Sequence, residues 1–78
     1  MHVVIAKVNE VYFDGEAHSM TVPATAGEMT VLTHHMPLIT TLKKGSITLR
    51  ETTESDPKVI DIESGLLEVR RDGATVIL

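Results

Sequence analysis

Apolar and polar residues alternate in short runs along most of the chain, and turn-forming residues separate the runs. Residues 17–22 alternate cleanly, and residues 46–50 place Ile47 and Leu49 on one side. This period of two is typical of strands with one buried face. No segment offers the roughly twelve residues of helical periodicity that an independent helix needs. The pattern therefore predicts an all-β domain of short strands in a small sandwich or flattened barrel.

Two stretches depart from simple alternation. Residues 3–6 are consecutively apolar, which predicts that both faces of the first strand are covered. The central segment, residues 22–45, has two short apolar runs between Pro, Gly and Lys residues, and these runs read as strands because they are too brief for helices. Pro23 is expected to end a strand or to lie at a sheet edge, since it has no N–H to donate.

Two Asp-Gly pairs are turn signals. Asp14-Gly15 predicts a turn directly after Phe13, which we expect to anchor the core. Asp72-Gly73 lies between alternating runs and is the strongest hairpin signal in the chain, of the type that needs a positive φ. The polar residues 51–57 predict an exposed hairpin loop.

Size and composition narrow the function classes. We expect residues 1–78 to form one domain, and its core must be aliphatic because the chain has no Cys and only two aromatic residues. The net charge of −4 argues against general nucleic-acid binding, which requires clustered cations. No apolar stretch approaches the roughly 20 residues of a membrane-spanning helix, so we expect a soluble, cytoplasmic protein.

No catalytic or metal-ligating set stands out. His34 and His35 are adjacent, and neighbours on a strand point to opposite faces, so they are poorly placed to hold one ion together. Gly27 precedes Glu28 rather than a helix, which is unsuited to a phosphate loop. We therefore predict no catalytic residues, no metal and no cofactor. One alternative stays open, a free-standing β-sandwich module with a His-based metal or small-molecule site.

The central segment also suggests a docking surface. Leu38, Ile39 and Leu42 place apolar groups on both faces of their strand, and Met29 and Met36 flank the intervening loop. Several such groups on so small a domain favour an apolar docking face over scattered surface residues.

An ordered set of motifs along the chain matches the pattern of a known protein family. The set comprises Phe-Asp-Gly at 13–15, Met-Thr-Val-Pro at 20–23, Gly-Glu at 27–28, residues 31–38, positions 40, 42, 43 and 45, and the closing runs 64–69 and 74–78. Residues 11–78 thereby resemble the N-terminal β-sandwich domain of the epsilon subunit of F-type ATP synthases, which is called delta in mitochondria.

The resemblance implies a flattened sandwich of ten strands in two antiparallel sheets. It implies a non-catalytic central-stalk subunit that docks on the gamma subunit and the c-ring and couples proton or sodium translocation to ATP synthesis. His35, Met36, Leu38 and Thr40 fall on gamma-facing positions. The implied c-ring-facing loop is formed by Ala26, Gly27 and Glu28. The domain itself is expected to bind no ATP, and the complex is expected at the cytoplasmic face of a bacterial membrane.

The sequence departs from the family pattern in two places. Family members usually continue into a C-terminal helical hairpin that regulates ATP hydrolysis, whereas this sequence stops at Leu78. In the family pattern a Pro-Gly precedes the His that matches His35, and this sequence has Thr33-His34 in its place. Replacing that Gly changes the backbone conformations allowed in the turn, and with them the expected gamma contact.

Overall fold

The computed structural model describes all of residues 1–78 and contains nine β-strands and no helix, which confirms the all-β prediction. The strands are β1 (His2–Lys7), β2 (Glu10–Glu16), β3 (Ser19–Ala24), β4 (Gly27–Leu32), β5 (Leu38–Leu42), β6 (Gly45–Arg50), β7 (Lys58–Ile62), β8 (Gly65–Arg70) and β9 (Gly73–Ile77). The expected tenth strand is absent. Residues 51–57 form the predicted loop, which closes on itself as the amides of Thr52 and Ser55 donate to the other residue's hydroxyl.

The nine strands form one hydrogen-bonded sheet rather than two separate ones. Strands β2-β1-β9-β8-β5 make a five-strand layer, and β4-β3-β6-β7 make a four-strand layer. A single register pair, Ala24 with Leu42, joins the layers. Beside it the Thr25 amide donates to the Thr41 carbonyl at 3.0 Å, and the Lys43 amide donates to the Pro23 carbonyl at 2.9 Å. All pairings are antiparallel except that of β1 with β9, which is parallel.

Both layers contribute to one aliphatic core. The curled sheet brings the inner faces together around fifteen buried residues: Val3, Ile5, Ala17, Met20, Val22, Ala24, Val31, Leu42, Ile47, Leu49, Ile62, Leu67, Val69, Ala74 and Val76. Along the opposite side Lys58 of β7 lies over the Phe13 ring of β2, with Nζ 5.4 Å from the ring centroid. Interdigitated aliphatic side chains at this density resist deformation.

The first two strands differ from expectation. Val3 and Ile5 are fully buried, but Val4 and Ala6 are only partly buried, so β1 alternates despite its apolar run. The predicted turn at Asp14-Gly15 is wrong: both residues lie inside β2. The turn is at residues 8–9 instead, because β1 supplies a full-length partner for β2. Phe13 is partly buried and packs against the core.

Pro23 lies within β3 instead of ending it. Its register partner across the β3–β4 hairpin is Glu28, and the strand continues to Ala24. Pro23 has no N–H to donate, but its carbonyl still accepts from the Lys43 amide at 2.9 Å, and the neighbouring chain leaves space for its ring. A Cβ on Gly45 would come within 2.9 Å of the Pro23 Cβ, so the glycine makes room for it.

The closing hairpin is confirmed, but its turn lies one residue earlier than predicted. Arg71 and Asp72 form the turn, and Gly73 opens β9 opposite Arg70. A positive φ occurs only at Gly27 and His34, so Gly73 does not serve that purpose. A Cβ at Gly73 would overlap the carbonyl oxygen of His2, which means that the glycine permits the close parallel approach of β1 to β9.

Candidate interaction surfaces

The β3–β4 tip, residues 25–28, is an exposed and well-anchored two-residue hairpin. Thr25 and Ala26 form the turn, and Gly27 has a φ of 139°, a conformation that L side chains rarely adopt. The Thr25 hydroxyl lies 2.9 Å from the Thr41 carbonyl and 2.6 Å from the Thr41 hydroxyl. The Glu28 carboxylate is exposed and makes no salt bridge. The tip thus presents a free carboxylate on a braced turn.

The four residues predicted to face gamma lie in two different environments. Leu38 and Thr40 share the inner side of β5, where they pair with Val69 and Leu67, and Leu38 packs against the core. Met36, in the preceding loop, is 79% exposed. His35 is partly buried, with Nδ1 2.8 Å from the Met36 carbonyl oxygen.

Ile39 belongs to this surface although the motif comparison omitted it. It follows Leu38 on β5, points to the outer side and is 69% exposed. The apolar pattern of residues 38–42 already indicates groups on both faces of this strand, because an apolar residue between two inward positions must face outward. Met36 and Ile39, rather than Leu38 and Thr40, therefore supply the exposed apolar groups here.

The loop of residues 33–37 connects the two layers through a strained turn. His34 has a φ of 68°, in the left-handed region, at the position where the family pattern has glycine. The His35 amide donates to the Leu32 carbonyl at 3.1 Å and closes the turn. A non-glycine residue in this region costs on the order of 1 kcal/mol. The chain therefore keeps a glycine-like backbone with a side chain in place.

Two adjoining cavities share Pro37 and Arg71, and together we call them the Pro37–Arg71 groove. One, of about 420 Å³, is lined by residues 37–39 and 68–71. The other, of about 400 Å³, is lined by residues 34–37 and Arg71. The first is mostly apolar, whereas the second contains the imidazoles of His34 and His35. The groove thus lies where the β4–β5 loop meets the β8–β9 turn.

The two arginines at the groove, Arg70 and Arg71, differ in their ion pairs. Arg70 donates from Nη1 to Glu68 Oε1 at 3.2 Å and to Thr75 Oγ1 at 2.8 Å, and its Nε lies 3.8 Å from Asp72 Oδ1. Arg71, the next residue, makes no salt bridge and no side-chain hydrogen bond. Two adjacent arginines therefore differ, one engaged within the chain and one free.

The outer faces of the two layers also differ. On the five-strand layer, Val11, Ala6, Ile77 and Leu66 lie in register, and we call them the apolar row. On the four-strand layer, Thr30, Thr21 and Thr48 lie in register and form what we call the threonine row. The hydroxyls of Thr21 and Thr30 are 2.9 Å apart.

The histidine that makes the most contacts with acidic side chains is His2, near the edge of the five-strand layer. His2 contacts Asp14 through Nε2 at 2.8 Å and Glu16 through Nδ1 at 3.4 Å, as an exposed cross-strand cluster. No group of three His, Cys, Asp or Glu side chains is arranged to hold a metal ion. No helix of sufficient length and apolarity to cross a membrane is found.

Comparison with known proteins agrees with this picture. Residues 1–78 match the family model described as the ATP synthase delta/epsilon chain β-sandwich domain. The chain is 35% identical over 77 residues to ATP synthase epsilon chain 2 of Burkholderia orbicola (strain AU 1054), covering 99% of this chain and 51% of that protein. It is 31% identical to the ATP synthase epsilon chain of Laribacter hongkongensis (strain HLHK9), covering 99% and 55%. The chain spans about half the length of these curated relatives.

Two solved structures share the fold. One is a chain of the Euglena gracilis mitochondrial ATP synthase, OSCP/F1/c-ring in rotational state 1, with a TM-score of 0.86, 18% identity and coverage of 96% of this chain and 48% of that one. The other is from the Tetrahymena thermophila mitochondrial ATP synthase central stalk and c-ring, with a TM-score of 0.79, 15% identity and coverage of 99% and 61%. At these identities the likeness shows the fold alone.

Proposed function

This chain belongs to the family of the ATP synthase delta/epsilon chain β-sandwich domain, and from that premise we propose that it is a non-catalytic central-stalk subunit of an F-type ATP synthase. It docks on the gamma subunit and the c-ring and couples proton or sodium translocation to ATP synthesis. The observation that carries the proposal is the family match over residues 1–78. The place of action is the cytoplasmic face of the membrane, at the periphery, as part of the complex.

The β3–β4 tip is the proposed c-ring contact. Ala26 and Glu28 are exposed there, and Gly27 holds a backbone conformation that fixes the shape of the turn. Because Glu28 has no partner within the chain, its carboxylate is free to meet basic or amide-bearing loops. A rim charge of this kind contributes more to the association rate and to orientation than to affinity.

The surface around the β4–β5 loop is the proposed gamma contact. His35, Met36, Leu38 and Thr40 keep this role, with different contributions. Met36 makes the direct apolar contact, whereas Leu38 and Thr40 support the strand from its inner side. Ile39 joins them as a second direct contact because it faces outward beside Met36.

A tightly packed sandwich suits the mechanical part of this role. Fifteen buried aliphatic residues from both layers form one core, and the cross-layer contacts at Ala24–Leu42 and Lys58–Phe13 tie the layers together at both sides. Protein interiors packed in this way have low compressibility and transmit strain. We expect a domain built in this way to transmit a force from one end to the other with little deformation.

Co-expression with the gamma subunit of the same ATP synthase tests the proposal. We expect the chain to co-elute with gamma in size exclusion, and Met36→Glu to weaken or abolish co-elution. The matched control is Val59→Glu, which introduces the same charge at an exposed apolar residue of the four-strand layer. Wild-type chain that elutes apart from gamma would argue against the function, and equal effects of the two variants would argue against this surface.

A further inference from the structure

The Pro37–Arg71 groove combines apolar walls with a cation that no group of the chain neutralises. We propose that it receives an apolar segment of the gamma subunit that carries a carboxylate, and that this carboxylate pairs with Arg71. The inference rests on the proposed function and adds the chemistry that the surface recognises. Arg71 thereby becomes a residue that determines which partner segment is accepted.

The charge argument begins with the two neighbouring arginines. Glu68 and Asp72 are the acidic side chains on the adjoining strand and turn, and both lie against Arg70. Arg71 consequently keeps its full positive charge at the rim, and the imidazoles of His34 and His35 line the same cavity. The chain as a whole carries a net charge of −4. Glu68 lines the groove together with Arg70 and Arg71, so two arginines against one glutamate leave a formal charge of +1 with the His neutral. The groove is therefore a weakly cationic site on an acidic protein, and its unpaired Arg71 attracts an anionic group.

The apolar walls indicate what surrounds that group. Met36 and Ile39 are largely exposed, and Pro37 between them is exposed as well. Covering them with apolar side chains removes this area from water. The same cover excludes water from the Arg71 guanidinium, and an ion pair strengthens as the local dielectric constant falls. A partner segment that carries both apolar side chains and a carboxylate thus matches the groove better than a segment with only one of them.

A protein segment fits these features better than other anions do. A phosphate backbone requires clustered cations along a path, whereas here only one guanidinium, that of Arg71, is without a salt bridge, and it stands beside apolar side chains. A guanidinium binds a carboxylate through two parallel hydrogen bonds, which adds direction to the attraction. The continuity of the groove with Met36 and Ile39, the proposed direct contacts, places this pair within the same interface.

The shape of the groove is held before any partner arrives. The left-handed turn at His34 and the amide of His35 bonded to Leu32 direct the loop back toward β5. The contact of His35 Nδ1 with the Met36 carbonyl braces the rim. Because the loop is ordered by these contacts, less conformational entropy is lost when the partner docks.

The test measures binding of the chain to purified gamma subunit over a series of salt concentrations. We expect Arg71→Glu to weaken binding at least tenfold at low salt and Arg71→Lys to weaken it less, because lysine keeps the charge but loses the paired hydrogen bonds. The control is Lys44→Glu, an exposed cation in the β5–β6 turn without a salt bridge. Both reversals change the net charge from −4 to −6, since each replaces +1 by −1.

The outcomes separate this inference from the proposed function. If wild-type chain binds gamma and the two charge reversals weaken it equally, the Arg71 pairing is wrong and the function stands. If wild-type chain does not bind gamma, the proposed function fails. If the chain binds anionic vesicles or single-stranded RNA through Arg71 but does not bind gamma, the inference that the groove receives a gamma segment is wrong. Thermal melting of each variant confirms that Arg71, an exposed turn residue, was changed without unfolding the domain.

Discussion

The two outer faces of the sandwich are both formed by short strands but differ in how their polar and apolar side chains are distributed. The five-strand layer displays the apolar row, in which Val11 is 62%, Ile77 52% and Leu66 42% exposed. The four-strand layer displays the threonine row, in which the hydroxyls of Thr21 and Thr30 lie 2.9 Å apart. Beside that row, Ser46 donates to Asp61 at 2.6 Å. One face presents three large aliphatic side chains in register, whereas the other presents a row of threonines that continues to Val59, the register partner of Thr48 and 60% exposed.

This difference shows where partners are to be sought. Three aliphatic side chains exposed in register form an apolar patch, and we expect such a patch to be covered by a partner. Threonines on a strand favour the extended backbone and remain compatible with water. We therefore expect the five-strand layer, with the groove at the end of β5, to carry the proposed gamma contact, whereas the four-strand layer contributes the β3–β4 tip, the proposed c-ring contact.

The largest effect is expected at a glycine of the five-strand layer. Gly73→Ala places a Cβ into the His2 carbonyl oxygen, so β1 must separate from β9 and the free energy of unfolding falls by about 3 kcal/mol or more. Denaturant unfolding measures the loss.

The matched control is a glycine of the four-strand layer. Gly27→Ala meets no atom within 4 Å, and only its positive φ opposes the change, so we expect a loss of about 1–2 kcal/mol. Equal losses for the two variants would show that the close approach of β1 to β9 contributes nothing special to the five-strand layer.

A smaller effect is expected in the loop that connects the layers. His34→Gly removes a side chain from a left-handed backbone, and we expect a net gain of about 0.5–1 kcal/mol after the added freedom of the unfolded chain is deducted. Thermal unfolding measures the gain. His35→Gly, next to it at an ordinary φ, should instead lose stability. A destabilised His34→Gly would mean that the imidazole makes contacts that outweigh the backbone strain.

The smallest effect on stability is expected from substitutions that give each outer face the residue type of the other. The double variant Leu66→Thr/Ile77→Thr should elute earlier from a hydrophobic-interaction column, because the apolar row loses its exposed area. The reciprocal variant Thr21→Val/Thr48→Val should elute later. Each change is expected to alter the free energy of unfolding by no more than about 1 kcal/mol, as surface substitutions generally do. A much larger loss for the first variant would identify the apolar row as part of the core.

Local sequence patterns determined the core and the strands, except for β2 and the expected tenth strand. Alternation correctly located Ile47 and Leu49 in β6 and the hairpin of β8 with β9, because the period of two records which side of a strand is buried. The ordered motifs identified the family. The c-ring and gamma roles of the β3–β4 tip and the β4–β5 loop stay predictions until binding is measured.

Tertiary structure decided what depends on distant partners. Asp14-Gly15 and Asp72-Gly73 are the same dipeptide, yet the first lies within a strand and the second ends a turn, because β1 pairs along the whole of β2. The parallel approach of β1 to β9, which requires Gly73, has no local signature. The Pro37–Arg71 groove likewise joins residues from β5 and the β8–β9 turn. Side-chain alternation is encoded locally, whereas the choice of neighbouring strand is made by the register that buries the whole core.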